Sequence, residues 1–323
     1  VILIGLFFIS LFLTLGIRSV ALKKSLVAEV NERSSHTVPT PHGGGIAIAL
    51  TWFAGLIYLF ISNGITPSLF YALMAGSLLS IVSYIDDLYE LSPKVRLVTQ
   101  SFVSIVGLYA LGGLNKIDFG FWILENQLMT NVLAFFGIMW FINLYNFLDG
   151  IDGYAGSEAI FLAIAGYILF GGDHFLILGV CVGGFLVWNW HKAKIFMGDV
   201  GSTLLGYTIA IFALYYQNNG MSIFIWLILF GIFWFDATLT LLRRYKNGEK
   251  LSLGHRKHAY QRLVQSGMSH STVVCLALGV NLILFALGYS VQQYSQVLLP
   301  AFCVSIALLY GVMKMVDKRK KFA

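Results

Sequence analysis

The chain has 323 residues, of which 58% are hydrophobic and 11% charged, with a mean hydropathy of +0.79 and a formal charge of +6 at pH 7. A water-soluble domain carries about a quarter charged residues, so this composition excludes an ordinary soluble protein and makes the lipid bilayer the organising environment. The excess positive charge then belongs to membrane topology and not to a nucleic-acid surface.

Apolar runs recur along the whole sequence, and a helix of about 20 residues rising 1.5 Å per residue crosses ~30 Å of hydrocarbon. In chain order the predicted spans are 1–17, 43–62, 68–85, 95–112, 128–146, 158–171, 174–190, 200–216, 221–242, 271–290 and 296–313. These make about eleven transmembrane helices, the sixth short enough to be tilted, extended or half-crossing. The first run has no basic n-region and no small-residue cleavage site, so it reads as a retained span and not a removable signal. The chain begins with Val, which leaves room for residues upstream. With no Pro/Ser-rich linker and no fixed repeat, one all-α polytopic domain over 1–323 is expected. Cys181, Cys275 and Cys303 sit singly in apolar segments, which argues against a disulfide framework or a thiolate metal site.

Twenty of the 21 Lys and Arg residues fall after odd-numbered spans or in the C-terminal tail; Lys116 is the exception. The positive-inside rule therefore predicts those loops and the C-terminus in the cytoplasm, and the N-terminus outside, in the periplasm. Six of the seven histidines share the cytoplasmic side, as do Asp86, Asp87, Asp149, Asp152, Asp199 and Asp236. Acids at a bilayer edge are costly and mark a site or a pathway.

Taken in order, His36-Thr-Val-Pro-Thr-Pro-His42-Gly-Gly-Gly45 opens the motifs. Its prolines forbid a helix and its glycines, Gly44 among them, expose backbone N–H groups; a helix-entry turn reads equally well. Asp86 and Asp87 close the third span, about 100° apart on a helix, so one can hold a metal while the other faces a second substrate. Alone, the pair also reads as a solvated helix end. Asn143-Leu-Tyr-Asn146-Phe-Leu-Asp149-Gly-Ile-Asp152-Gly carries four polar groups at steps of three, with Gly150 and Gly153 loosening the helix so that both acids turn to one pocket. Asp199 lies between Gly198 and Gly201 at a helix start, a place that suits either a phosphate or a simple N-cap. The loop 243–270 holds His255 and His258 beside Arg256, Lys257 and Arg262, a cationic cluster suited to a diphosphate. Carboxylates from several helix ends offer oxygen-only ligands, which suit Mg²⁺ or Mn²⁺.

The set resembles the polyprenyl-phosphate N-acetylhexosamine-1-phosphate transferases, the superfamily that includes the phospho-N-acetylmuramoyl-pentapeptide transferase. The matching pieces are Pro39-Thr40…Gly43-Gly44-Gly45, Asp86-Asp87, Asn143-xx-Asn146-xx-Asp149-Gly-xx-Gly153, Phe196-Met-Gly-Asp199-Val-Gly-Ser202 and His255-xx-His258, in the family's order over residues 39–262. Two departures stand out. His191-Lys192 occupies a place where relatives often carry prolines, and Arg33-Ser-Ser-His36 stands where the family has a loop Lys.

The resemblance implies a reaction in which undecaprenyl phosphate attacks the β-phosphorus of a UDP-N-acetylhexosamine, giving undecaprenyl-diphosphate-sugar and UMP. It implies Mg²⁺ as cofactor, and eleven spans look like the branch that initiates O-antigen chains in the bacterial inner membrane. Carried onto this sequence, Asp86, Asp87, Asp149, Asp152 and Asp199 are the expected catalytic residues, with Asp199 and Asp86 at the metal. Asn143, Asn146, His255, Arg256, His258, Lys94 and Gly44 are the expected substrate-binding residues. Asp87 is expected to deprotonate or orient the lipid phosphate, and a covalent phospho-aspartate route stays open. The loop 243–270 is expected to choose the sugar, and a homodimer is compatible with the pattern. The competing class is a secondary transporter relaying cations or protons through its acids, but these cluster at one face and not at the midplane.

Overall fold

A computed structural model of the chain describes residues 1–23, 27–28, 39–251 and 253–322. The departure at Arg33-Ser-Ser-His36 and the first part of the Pro-Gly loop lie outside the described residues. The molecule is 76% helical with almost no sheet. Its helices are α1 (Ile2–Lys23), α2 (Gly45–Ile61), α3 (Pro67–Met74), α4 (Gly76–Tyr89), α5 (Pro93–Ala110), α6 (Gln127–Leu148) and α7 (Tyr154–Phe170). They continue as α8 (Asp173–Asn189), α9 (Asp199–Asn218), α10 (Ile223–Leu229), α11 (Gly231–Lys246), α12 (Ala259–Gln265), α13 (His270–Gln293) and α14 (Leu298–Arg319). Two two-residue ladders, Val27–Ala28 with Thr40–Pro41 and Ile117–Asp118 with Ile123–Leu124, are both antiparallel.

Every one of the eleven predicted segments falls on helix, and two of them are broken. The third divides at Ala75 into α3 and α4, which still qualify together as one span of 23 residues. The ninth bends by 78° between α10 and α11. Neither break has a proline; in each, a glycine, Gly76 or Gly231, opens the second half. The bend frees carbonyls that lipid cannot satisfy, and the Trp234 indole N–H donates to Leu227 O at 2.6 Å to cover one of them. Among the described residues, length and hydropathy qualify five helices as membrane spans, or six with the bent pair as one, while α2, α7 and α8 are shorter apolar helices of 17 residues. This is a multi-pass helical membrane protein; the expected count of eleven crossings exceeds what length and composition establish.

The axis of the molecule is α9. It packs against α2, α4 and α6, and its residues from Val200 to Leu214 are all buried. Close approach to α6 depends on Gly206, where an added Cβ would stand 2.9 Å from Ile142 Cα and Tyr145 Cβ. Small residues at such a crossing let backbones meet where lipid supplies no hydrophobic drive. The ends of α4 and α6 and the start of α9 are thereby gathered in one place.

Candidate functional site

The tail of α4 supplies Asp86 and Asp87. Asp86 is buried, accepts from Leu91 N–H at 2.7 Å through Oδ1, and pairs through Oδ2 with Arg96 Nε at 2.8 Å. Arg96 comes from the first turn of α5, which Pro93 opens. Its other arm, Nη1, stands 3.8 Å from Asp199 Oδ2, so one guanidinium bridges two acids from separate helices. Asp199 is the first residue of α9, fixed after Gly198 at φ 76°. Asn146, near the end of α6, donates from Nδ2 to Asp199 Oδ1 at 2.8 Å and to Ser202 Oγ at 2.9 Å. One turn earlier, Asn143 donates to Gln100 Oε1 at 2.8 Å. Asp87 lies beside the backbone N–H of Asp199, and its Oδ2 is buried with no hydrogen-bond partner.

A cavity of about 470 Å³ opens on this group, lined by Asp86, Arg96, Gln100, Asn143, Asn146 and Asp199, with Leu251 of the 243–270 loop at its rim. The Gly loop is fastened beside the start of α9. Gly44 N–H donates to Phe196 O at 2.9 Å and Gly45 N–H to Met197 O at 2.8 Å, tying the loop to the chain that enters α9. A side chain at Gly44 would strike the Phe185 ring, and one at Gly45 the backbone of Gly201. His42 sits close enough to feel the charge of Asp199. Burial nevertheless holds its imidazole below the usual range, so it is neutral at pH 7.

The remaining expected residues lie elsewhere. The α6 helix ends at Leu148, and Asp149 is its partly covered C-cap. Desolvation, reinforced by the charge of Asp199, pushes the Asp149 carboxyl up to about 7. Just before the positive-φ turn at Gly153, Asp152 points to a different group: its Oδ2 is 2.9 Å from His191 Nδ1, 3.2 Å from His270 Nδ1 and 3.1 Å from Ala193 N. Burial alone would raise the Asp152 pKa, but the hydrogen bonds from His270, His191 and Ala193 outweigh it and hold the carboxyl below its ordinary value. Asp152 thus secures the turn between α6 and α7 to the chain before α9 and to the start of α13, and does not line the cavity.

The 243–270 loop spends much of its charge on itself. Arg244 reaches Glu249 at 3.0 Å and three backbone carbonyls between Lys250 and Leu253. Lys257 pairs with Glu249 at 2.9 Å, and Arg243 and Arg262 both hold Asp317. His258 is buried, with Nδ1 3.5 Å from Asp236. Asp236 itself accepts from Ala259 N–H at 2.8 Å and so caps α12. His255, 4.8 Å ring to ring from His258, is pushed down to about 4 by burial, then by its neighbours His258 and Arg244. It is neutral at pH 7 and offers a hydrogen bond in place of a charge. Arg256 is half-buried in the same loop, and Lys94 is exposed at the start of α5.

Sequence reasoning passed over Arg96 and Gln100, which line the cavity from α5 together with Pro93, Leu97 and Thr99. The signal was an Arg inside the first turn of a predicted span, counted there only as a topological charge. It also took His42 as part of a loop pattern and Ser202 only as the end of a motif, and did not single out Thr203, which lines the cavity.

The chemistry of the donors fits a hard divalent cation. Asp87 Oδ2 is buried and unpartnered, and Asp199 keeps Oδ2 at ion-pair distance only from Arg96 while Oδ1 holds Asn146. Both are carboxylate oxygens, the ligands Mg²⁺ prefers. Both oxygens of Asp86, in contrast, are engaged by Arg96 and Leu91.

Carboxylates from two helix ends, bridged by an arginine, form a polar pocket at one end of a helical membrane bundle, with the charge suited to a cation or a phosphate-like group. Comparison with known proteins agrees. The glycosyl transferase family 4 model matches residues 69–217. A probable undecaprenyl-phosphate N-acetylglucosaminyl 1-phosphate transferase of Bacillus subtilis (strain 168) is 31% identical over 93% of this chain and 86% of its own length. The undecaprenyl-phosphate alpha-N-acetylglucosaminyl 1-phosphate transferase of Salmonella typhi is 29% identical over 88% of this chain and 81% of its own. The decaprenyl-phosphate N-acetylglucosaminephosphotransferase of Mycobacterium tuberculosis (strain CDC 1551 / Oshkosh) is 27% identical over 88% and 80%. The chain belongs to the polyprenyl-phosphate N-acetylhexosamine-1-phosphate transferase family.

Proposed function

We propose that this protein transfers an N-acetylhexosamine 1-phosphate from its UDP-sugar to undecaprenyl phosphate, at the cytoplasmic face of a bacterial inner membrane. An oxygen of the lipid phosphate forms a bond to the β-phosphorus, and the bridging oxygen leaves with UMP. The relatives' names make N-acetylglucosamine the first sugar to test. The product is the lipid-linked first sugar of an envelope polysaccharide such as O-antigen.

The observation that carries the reading is the Asp86–Arg96–Asp199–Asn146 network around one cavity, with an orphaned Asp87 oxygen beside it. Phosphoryl transfer demands positioning and charge neutralisation more than covalent chemistry. Asp199 and Asp87 would hold Mg²⁺, with Asp86 keeping Arg96 in place. When bound, the ion neutralises diphosphate oxygens and polarises the β-phosphorus. Arg96 faces the same charge, while Asn146 fixes the Asp199 carboxylate in one orientation. Gln100 and Asn143, locked to each other, present polar edges to the nucleotide side. UDP-sugar is water-soluble and the lipid phosphate rides at the interface, so both meet only at a membrane border. The basic loops support a cytoplasmic border, which eleven crossings with the N-terminus outside would be consistent with.

The test is UMP release by purified protein with undecaprenyl phosphate, Mg²⁺ and a panel of UDP-N-acetylhexosamines. Release is expected to require the lipid, to stop with EDTA, and to fall by about 10³-fold in Asp199→Asn with its melting temperature kept. Lipid-independent release, or normal turnover in that variant, overturns the proposal.

A further inference from the structure

Three segments far apart in the chain converge outside the cavity. Asp152 stands in the turn between α6 and α7, His191 in the chain between α8 and α9, and His270 is the first residue of α13. Each brings one ligand atom to within 4.8 Å of the other two. Asp152 Oδ2 lies 2.9 Å from His191 Nδ1 and 3.2 Å from His270 Nδ1. Around a metal bonded at about 2.0–2.1 Å, neighbouring ligand atoms stand about 2.9 Å apart in an octahedral shell and about 3.3 Å apart in a tetrahedral one. Both distances therefore match edges of such a shell. None of the three residues lines the cavity of about 470 Å³.

Hydrogen bonding alone leaves this cluster in conflict. His270 Nδ1 meets Asp152 Oδ2 at 3.2 Å, a pair that needs a proton on the nitrogen, and the Asp152 N–H at 3.3 Å, which needs the nitrogen bare. One ring nitrogen cannot donate and accept at once. A cation shared by Nδ1 and Oδ2 satisfies the nitrogen and the acid together. The acid is also held as a ligand is held. Ala193 N–H donates to its Oδ2 at 3.1 Å, the adjoining Gly153 N–H donates to Asn189 Oδ1 at 3.0 Å, and Asn189 Nδ2 donates to Ile195 O at 2.9 Å. Outer partners of this kind fix a ligand's orientation. The Asp152 and His270 side chains are 8% and 11% exposed and that of His191 29%, so water and an ion reach the cluster from the His191 side. We propose that Asp152, His191 and His270 bind a transition-metal ion of the Zn²⁺ type, separate from the carboxylates proposed for Mg²⁺, with water completing the shell. Two imidazoles and one carboxylate select such an ion over Mg²⁺, which prefers oxygen alone. Bound there, the ion staples the α6–α7 turn, the chain entering α9 and the head of α13 to one point.

The test uses the full chain in detergent, purified without a polyhistidine tag, stripped with EDTA and dialysed against ZnCl₂ in excess MgCl₂. About one Zn²⁺ per chain is expected to stay bound, and ZnCl₂ is expected to raise the melting temperature of the stripped protein. CoCl₂ in its place is expected to give the visible absorption of an ion ligated by nitrogen and oxygen. His191→Gln and His270→Gln are each expected to weaken Zn²⁺ binding by about 100-fold or more, because mutating even an outer-shell partner costs about 10–100-fold. His191 is partly exposed, so His191→Gln is expected to melt in EDTA as the unmodified protein does. Asp199→Asn is expected to keep its Zn²⁺, which separates this site from the cavity. No Zn²⁺ retained by the unmodified protein, equal retention in both histidine variants, or loss of Zn²⁺ in Asp199→Asn overturns the site and leaves a hydrogen-bonded knot. None of these readouts depends on turnover, so their outcome is independent of the transferase reading.

Discussion

Arg96→Ala removes a residue that both pairs with Asp86 and faces Asp199. Breaking a buried ion pair by deleting one partner costs about 3–5 kcal/mol, and Asp86 is only 5% exposed in its side chain. Arg96, however, is 47% exposed, so water follows the deletion and screens what is left. Leu91 N–H also still holds one Asp86 oxygen. The expected loss of stability is therefore roughly 1–2 kcal/mol, a fall of a few degrees in melting temperature. The interaction with Asp199 at 3.8 Å has a gross Coulomb value of about 4 kcal/mol at an effective dielectric of about 20. Solvent reduces that to a fraction in the resting protein. When a diphosphate covers the cavity and excludes water, the guanidinium meets concentrated negative charge, and losing such a donor costs about 10²–10³ in rate. So turnover is expected to collapse while folding barely changes. Arg96→Lys is expected to recover part of it, because an ammonium serves one acid at a time and lacks the planar fork. The assay is steady-state UMP release in detergent, beside a thermal melt of the same preparation. Turnover within threefold of the unmodified protein, or a melt that falls in step with activity, would falsify the assignment.

Two further outcomes follow from the geometry. Gly45→Ala places a methyl against the backbone of Gly201, which cannot give way; a loss of about 1–3 kcal/mol is expected, read as a lower melting temperature, whereas Gly311→Ala changes nothing. Asp149 keeps its proton in the folded state up to about pH 7 but loses it near 3.8 when unfolded. Its contribution to stability is thus complete below about pH 4 and lost as pH rises through 7. In EDTA, the melting-temperature gain of Asp149→Asn over the unmodified protein is expected to be larger at pH 8 than at pH 5; an equal gain at both would sink the assignment.

The helices were legible because hydropathy over about 20 residues is set by the bilayer and needs no partner to be read. The breaks at Ala75 and Phe230 were not, since glycine is common in membrane helices and marks a bend only when something such as Trp234 repairs the freed carbonyls. At the site, Asp86, Asp87 and Asp199 stood out as acids at span ends. Their partners did not: Arg96 counted as one more cytoplasmic charge. Asp152 looked like a neighbour of Asp149, but its partners His191 and His270 lie 39 and 118 positions away. Pairings at that separation are decided by packing of whole helices, which a periodicity cannot report. In the 243–270 loop the composition was plain, yet the mutual neutralisation of Arg244, Lys257 and Glu249 becomes visible only once the chain has turned back on itself.

Asp199 is rooted in the most enclosed helix of the molecule, with fifteen consecutive residues from Val200 to Leu214 buried behind it. A rod gripped along its whole length cannot slide or roll without opening voids on every side. The acid at its tip is in effect an anvil: it is held in place, and whatever adjusts in the molecule must be peripheral. Diversification within such a scaffold is accordingly lopsided. The loop 243–270, which turns back on itself at the end of the bundle, has room to change, while the α9 axle admits almost none, so loop and axle become separable targets for an engineer.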